Sequence, residues 1–193
     1  MKKTVAVIGS RGAIGNAVVD TLLADESVEA VFKFSRAENT EHEDKVKHIF
    51  IDIEDEESIK QATESLPEVT KFDLIFVATG ILHDEKNVFP EKSIKDISFD
   101  KLIKVLTINT IGPTLVGKYF IPYLRKDSKS TFAFLSARVG SISDNKLGGW
   151  YSYRASKTAL NQIIRNFSIE VARSNKNAIS VSYTHLRAHE TSL

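Results

Sequence analysis

Two patterns of apolar and polar positions alternate along the chain. Short runs rich in Val, Ile and Phe predict buried strands, and longer segments with apolar residues three or four positions apart predict amphipathic helices. The predicted strands cover residues 4–9, 28–36, 46–53, 72–80, 130–137 and 178–182. The predicted helices cover residues 13–25, 56–66, 99–124 and 151–174. Pro113, which follows Gly112, predicts a bend within the third helix.

This alternation of strands and helices predicts the fold class. Parallel strands need helical crossovers, so the order predicts an α/β fold, a Rossmann-type doubly wound parallel sheet with helices on both faces. A chain of 193 residues with 42% hydrophobic residues is long enough for one such domain. Ligands of these sheets bind at the carboxyl ends of the strands, so the residues just after each strand are the candidates for a site.

Composition narrows the classes of function. The formal net charge of +1 gives no reason to expect nucleic acid or an anionic membrane as a partner. The chain has no cysteine, which excludes disulfides and thiolate metal sites and fits a reducing compartment. No apolar stretch is long enough to span a bilayer. We therefore expect a cytoplasmic protein without a metal site.

A glycine-rich loop, "GSRGAIG", joins the first predicted strand to the first predicted helix. Its glycines allow a tight turn, a close backbone approach and close packing of the helix, whose free N–H groups suit a pyrophosphate. An ordinary glycine-containing turn is the alternative interpretation. The predicted cofactor contacts of the loop are Gly9, Ser10, Arg11, Gly12, Ile14 and Gly15.

The second and third strands end in residues that suit the adenosine half of a dinucleotide. Ser35 and Arg36 follow the second strand, where an acidic residue would favour NAD(H). A guanidinium at this position pairs with a 2′-phosphate, and Arg11 adds a second cation, which predicts NADP(H) in preference to NAD(H). Asp52 and Ile53 would hold the adenine. The alternatives are a solvated Arg36 and an ordinary strand end.

Tyr153 and Lys157 lie four residues apart in the last predicted helix and therefore share one of its faces. A neighbouring ammonium lowers the pKa of a tyrosine, which then serves as a proton donor or acceptor near neutral pH. Two amphipathic side chains on a solvated surface would have the same spacing, so this pair alone does not decide between the two interpretations.

Six features in one order give the chain a family resemblance. It resembles the one-domain short-chain dehydrogenases/reductases from residue 4 to about 180, and its segments "GILHD" and "SARVGSISDNKLGGWYSYRASK" are similar to the carbonyl-reductase and C-signal-like branch. The features are the glycine loop, Asp52–Ile53, "ATG" at 78–80, Asn109, Ser136 and "YRASK" at 153–157.

The resemblance implies a hydride-transfer enzyme acting on a small carbonyl or alcohol substrate, and a homo-oligomer. It assigns the acid/base role to Tyr153 and gives Lys157 a second role in holding the nicotinamide ribose. Asn109 would keep a kink in the long helix and position a water. The alternative interpretation of Asn109 is a helix-interior residue that adjusts to the bend. Ser136 would orient the substrate. Further cofactor contacts would come from Ala78, Thr79 and Gly80.

Three positions depart from the family pattern. Ala13 stands where the family usually has glycine, so we expect the loop geometry to depend on Gly12 instead. The segment containing Ala78 lacks the usual asparagine amides. Ala137 occupies the usual register of the catalytic serine, so Ser136 reaches the substrate only if the strand end is bulged or turned. Ser141 and Ser143 are the alternatives for that role.

The end of the sequence also departs from the family, since residues 181–193 show no apolar period and no Pro-Gly turn. We expect an incomplete domain over residues 1–180, a non-native tail over 181–193 and no last family strand, and we expect this polypeptide itself to be inactive. A non-catalytic dinucleotide-binding signalling or regulatory protein is the alternative function. Sugar-nucleotide epimerisation would need a larger substrate lobe. The sequence does not identify the substrate.

Overall fold

Six parallel strands form a single sheet in the order β3-β2-β1-β4-β5-β6. The structure, a computed structural model, describes residues 2–37, 44–84 and 88–184. The strands are β1 (Lys3–Ile8), β2 (Val28–Ser35), β3 (Val46–Phe50), β4 (Leu74–Val77), β5 (Ser130–Ser136) and β6 (Ala178–Thr184). The helices are α1 (Ala13–Ala24), α2 (Glu56–Glu64), α3 (Phe99–Leu106), α4 (Gly112–Phe120) and α5 (Tyr151–Ser174).

Helices cover both faces of this sheet, as the sequence predicts. The central strand β1 is inaccessible on both sides, because Val5, Ala6, Val7 and Ile8 each have 0% exposure. Ala6 and Ile8 belong to a large apolar cluster with residues of α2, α4 and α5. Val5 and Val7 belong to a smaller cluster with Val19 of α1. Reversal of the strand order between β1 and β4 creates the crevice in which such folds bind ligands.

The long helix predicted over residues 99–124 is interrupted by a π-helical turn at Thr107–Ile111. Pro113 has no N–H, so the carbonyl of Asn109, four residues earlier, has no α-helical partner. The Gly112 N–H bonds the carbonyl of Thr107, five residues back. The predicted bend is therefore a local widening of the helix, and it carries Asn109 inward to full burial.

The end of the sheet extends beyond the predicted domain boundary at residue 180. Residues 181–184 belong to β6, and Val181 and Thr184 pair in register with Ala133 and Ser136 of β5. The rest of the predicted tail, residues 185–193, lies outside the described residues. The expectations of a non-native tail and of an absent last strand stay predictions. Within the described ranges, no helix is long and apolar enough to cross a membrane.

The turn between β1 and α1 depends on Gly9 and Gly15. Gly9 has a φ of +80°, and its N–H donates to the Phe34 carbonyl at 2.9 Å. A Cβ on Gly15 would lie 2.2 Å from the Gly9 carbonyl oxygen. Gly12 has a φ of −66°, and a Cβ there would lie 3.5 Å from the Gly9 carbonyl oxygen, an ordinary contact. The expectation that the backbone geometry of this loop depends on a glycine at position 12 is therefore wrong.

We predict that Gly15→Ala destabilises the fold and that Gly12→Ala does so much less. The added methyl of Gly15→Ala meets backbone, which must shift, so the free energy of unfolding should fall by about 1–3 kcal/mol. Urea denaturation of the two variants and wild type measures the difference. Equal losses for the two alanines would contradict the distinct roles of these glycines.

Candidate active site

A cavity of about 380 Å³ opens at the carboxyl ends of β1, β2, β3 and β4. Nine of the predicted cofactor contacts line it, and five residues that were not among those predicted contacts complete its wall. The predicted residues are Gly9, Arg11, Gly12, Arg36, Asp52, Ile53, Ala78, Thr79 and Gly80. The additional residues are Ser35, Ala37, Ile51, Glu54 and Ile108.

The other predicted residues of the glycine loop do not line the cavity. Ser10 is buried, and its hydroxyl donates to the Phe34 carbonyl at 3.3 Å, which ties the loop to β2. Gly15 permits the contact between α1 and the loop. Ile14 is exposed in the first turn of α1. No side chain caps the N-terminus of α1, so its first N–H groups stay available to an anion in the cavity.

The segment after β4 brings backbone close to the cavity. A Cβ on Gly9 would lie 2.8 Å from Thr79 Cγ2, so the glycine loop and this segment are in direct contact. A Cβ on Gly80 would lie 3.2 Å from Lys157 Nζ and 3.4 Å from Asn109 Oδ1. Gly80 therefore lies between the cavity and the Lys157 side chain of α5, the predicted catalytic helix.

Arg36 does not stand alone at the end of β2. Its Nη1 lies 3.9 Å from Oε1 of Glu54, and the other carboxylate oxygen of Glu54 lies 2.7 Å from Lys104 Nζ. Ser35 and Arg36 leave the end of β2 itself without an acidic residue. The turn between β3 and α2 nevertheless places the Glu54 carboxylate beside Arg36, which the sequence pattern did not predict.

Lys157 is buried at 2% exposure in the first half of α5. Its Nζ donates to the Leu135 carbonyl at 2.9 Å and lies 5.8 Å from the centroid of the Tyr153 ring. Burial lowers the pKa of Lys157 to about 8. The side chain is therefore mostly protonated at pH 7 and loses its charge over a mildly alkaline range.

Tyr153 lies one helical turn before Lys157, and its ring packs edge-on against Trp150 at a centroid distance of 6.3 Å. Burial raises the pKa of Tyr153 above its usual value of 10.0. The expectation that Lys157 lowers this pKa is not met in the protein alone, because desolvation opposes the phenolate. The tyrosine thus holds its proton at neutral pH.

Asn109 fixes the backbone next to Gly80. Its Oδ1 accepts from the Ile81 N–H at 2.7 Å, and its Nδ2 donates to the Ile81 carbonyl at 2.9 Å and to Ser156 Oγ at 3.1 Å. Ser156 in turn donates to the Tyr153 carbonyl at 2.8 Å. The amide thus links the segment after β4 to α5. The predicted placement of a water by Asn109 stays a prediction.

Ser136 is engaged elsewhere. Its hydroxyl donates to Asn161 Oδ1 at 2.7 Å, and β5 pairs with β6 in unbroken register through Ser136. The strand therefore has no bulge at Ser136, although the chain turns at Arg138–Gly140, and the role of Ser136 in orienting the substrate stays a prediction. Of the alternatives, Ser141 is half-buried and Ser143 is exposed, and their hydroxyl oxygens lie 3.3 Å apart. The structure brings none of these three hydroxyls into a hydrogen bond with Tyr153.

Glu91 secures the start of α5 and has no sequence signal. It is 3% exposed. One of its carboxylate oxygens accepts from the Ser152 N–H at 3.2 Å, the other accepts from the Ser152 hydroxyl, and its carbonyl accepts from the Trp150 N–H. Trp150 has a φ of +52°, a left-handed conformation that is uncommon for a bulky residue. This anchoring sets the position of the first turn of α5, which carries Tyr153.

The chain is similar to named dehydrogenases and to solved structures. It is 29% identical over 136 residues to 1-hydroxy-2-glutathionyl-2-methyl-3-butene dehydrogenase of Rhodococcus sp. strain AD45, covering 70% of this chain and 55% of that protein. It is 34% identical over 79 residues to the C-signal of Myxococcus xanthus, covering 41% of this chain and 48% of that protein. The NADPH-bound carbonyl reductase from chicken fatty liver superposes with a TM-score of 0.79 at 25% identity, covering 95% of this chain and 79% of that chain.

These matches differ in how much of each protein they cover. The chain spans about half the length of the two curated relatives, 55% and 48%. A family model described as short chain dehydrogenase matches residues 3–193, nearly the whole chain. The sheet order, the glycine loop and the half-buried Tyr153 beside the buried Lys157 agree with that match. The chain belongs to the short chain dehydrogenase family.

Proposed function

We propose that the protein is an NADP(H)-dependent oxidoreductase that interconverts a small carbonyl compound and its alcohol, with Tyr153 as the acid/base. The position of Gly80 carries this proposal. Gly80 lines the nucleotide-sized cavity, and a Cβ at Gly80 would lie 3.2 Å from the ammonium of Lys157. A dinucleotide seated in the cavity therefore ends beside the buried Lys157 and its neighbour Tyr153.

The described residues fit such a cofactor. The hydroxyl of Thr79 is buried against the cavity and has no hydrogen-bond partner, so it is free to contact a ligand. Gly9 and Gly12 leave space over the uncapped N-terminus of α1, which suits the pyrophosphate. Arg36, whose side chain is 70% exposed, has only a long contact with Glu54 among the described residues and suits a 2′-phosphate. When bound, NADP(H) supplies or accepts a hydride.

The residues around Tyr153 supply the proton. In the direction of reduction, the neutral phenol donates its proton to the carbonyl oxygen, and its raised pKa keeps it protonated at neutral pH beforehand. Lys157, whose Nζ lies 5.8 Å from the centroid of the Tyr153 ring, then stabilises the resulting phenolate, because it is still mostly cationic at pH 7. Asn109 and Glu91 hold the elements that carry these groups.

One observation favours the alternative, a dinucleotide-binding regulatory protein without turnover. Ser136 is hydrogen-bonded to Asn161, Ala137 follows it, and none of Ser136, Ser141 and Ser143 forms a hydrogen bond with Tyr153. The similarity to a protein named C-signal is compatible with that alternative. The cytoplasmic location and the homo-oligomeric state stay predictions.

We predict that NADPH binds more tightly than NADH and that Arg36→Ala removes most of the difference. Loss of a charge-assisted contact should cost about 1.5–3 kcal/mol, or roughly 10- to 150-fold in the dissociation constant of NADPH, with little effect on NADH. Calorimetric titration of both cofactors measures this. Arg173→Ala, at the exposed end of α5, is the control for loss of one cation. Equal affinities that Arg36→Ala leaves unchanged would contradict the proposed cofactor preference.

A further inference from the structure

The turn between β3 and α2 places a carboxylate inside the proposed cofactor cavity. Glu54 lines the cavity, and its side chain is three-quarters buried at 25% exposure. The turn is fixed because the Glu54 N–H donates to Asp52 Oδ1 at 3.0 Å. The Glu54 carboxylate itself is held at the wall by its hydrogen bond to Lys104 Nζ.

The two oxygens of this carboxylate face different cations. Oε2 lies 2.7 Å from Nζ of Lys104 on α3, a direct charge-assisted hydrogen bond. Oε1 lies 3.9 Å from Nη1 of Arg36, which is beyond hydrogen-bond distance. Lys104 is therefore the principal partner of Glu54, and Arg36 keeps its guanidinium donors for another anion.

A phosphate dianion beside Arg36 would feel the charge of Glu54 as well. The two negative charges would repel each other and weaken phosphate binding unless a nearby positive charge compensates them. Lys104 provides that compensation from outside the cavity, since it contacts Glu54 but is absent from the cavity wall. Without Lys104, the carboxylate would be unpaired beside Arg36 and would compete with a phosphate for it.

We propose that Lys104 determines the preference for a 2′-phosphorylated nucleotide by neutralising Glu54, without itself contacting the phosphate. Lys104 is thus a positioning residue for Glu54, and Glu54 is the residue that opposes the 2′-phosphate. The inference rests on the proposed function, because it concerns the adenosine end of the same cofactor. It predicts a coupling between two residues 50 positions apart in the sequence.

The test uses adenosine 2′,5′-bisphosphate and adenosine 5′-monophosphate, which differ only in the 2′-phosphate and need no turnover. Calorimetry on the whole chain gives a dissociation constant for each nucleotide. Lys104→Met should weaken binding of the bisphosphate roughly three- to tenfold and leave the monophosphate unchanged. Glu54→Gln should strengthen binding of the bisphosphate by a similar factor. In the Glu54→Gln background, Lys104→Met should have almost no effect.

Lys118 provides a matched control. It forms the same kind of pair with Glu56, also at 2.7 Å, between α4 and α2 and outside the cavity. Lys118→Met should therefore leave both nucleotide affinities unchanged, although it removes one positive charge too. Far-UV circular dichroism and melting of all variants verify that each one is folded.

Two outcomes would overturn the inference while the proposed cofactor stands. One is an equal loss from Lys104→Met with and without Glu54, which would make Lys104 a direct phosphate contact. The other is a loss that Lys118→Met reproduces, which would make the effect general electrostatics. Failure of wild type to bind either nucleotide would instead contradict the proposed function, and the inference with it.

Discussion

Tyr153→Phe is expected to lower carbonyl turnover by about 10²- to 10⁴-fold while leaving the dissociation constant of NADPH nearly unchanged. The substitution removes only the hydroxyl, and the proton that it carries is needed in the transition state rather than for cofactor binding. The ring itself packs against Trp150, and phenylalanine keeps that contact. The measurements are turnover of the longest form of the protein that its gene encodes and calorimetric titration of NADPH.

Tyr151→Phe is the matched control for this variant. Tyr151 is also in the first turn of α5 but lies two positions away and is exposed. Its hydroxyl should be dispensable for turnover, so the control separates the acid from a general effect on the helix. Turnover of Tyr153→Phe within a few-fold of wild type would assign the acid to another residue and would strengthen the non-catalytic alternative.

Lys157→Met is expected to abolish turnover and yet to stabilise the fold at pH 7. Burial lowers the pKa of Lys157 from 10.5 to about 8. Keeping the buried side chain protonated at pH 7 therefore costs the folded protein about 3 kcal/mol of stability. The variant also leaves the Leu135 carbonyl without its hydrogen-bond donor, and this loss reduces the gain in stability by about 1 kcal/mol. A net gain of about 1–3 kcal/mol in the free energy of unfolding follows. Loss of activity combined with a gain in stability is typical of functional residues.

The pH dependence of that gain gives a second readout. Between about pH 8 and 10.5 the unfolded chain still binds the proton that folded wild type has lost, so wild type gains stability with rising pH. The advantage of Lys157→Met should therefore shrink by about 2 kcal/mol between pH 7 and 9.5. Urea denaturation of both proteins at each pH measures it, with exposed Lys118→Met as the control. An advantage that stays constant over this range would contradict the depressed pKa.

Local sequence was sufficient to predict most of the fold. The stripe of apolar residues in α5 predicted its bounds at Tyr151 and Ser174, and the β-branched runs predicted all six strands. The differences lie at element ends. Residues 51–53, predicted as strand, leave the sheet after Phe50 because they turn into the cavity wall. Pro113 predicted a bend in the long helix, and the structure instead has a π-helical turn just before it, at Thr107–Ile111.

The candidate site was predictable where its residues are neighbours in sequence. The glycine loop and the pair of Tyr153 and Lys157 are short motifs. The structure places the loop in the cavity wall and Lys157 next to Gly80, which lines the cavity. Glu54 with Lys104 and Glu91 with Ser152 are separated by 50 and 61 positions. Such pairs follow from tertiary packing and carry no local signal.

Ser136 illustrates the reverse case, in which a motif position suggests a role that geometry does not support. The family resemblance placed its neighbour Ala137 in the catalytic register, and Ser136 would reach the substrate only if the strand end were bulged or turned. The hydrogen bond to Asn161, four residues after Lys157, instead uses Ser136 to attach β5 to α5. Mutation of Ser141 and of Ser143 would therefore test which group orients the substrate carbonyl.

Transfer of a labelled hydride tests the proposed function most directly. The longest form of the protein is incubated with a panel of aldehydes and ketones and with NADPH carrying deuterium at both C4 positions of the nicotinamide. The account predicts an alcohol with one deuterium on the former carbonyl carbon, its hydroxyl proton coming from Tyr153, and loss of that product with Tyr153→Phe. Tight binding of NADPH with no labelled alcohol from any carbonyl would contradict it and favour a dinucleotide-binding protein without turnover.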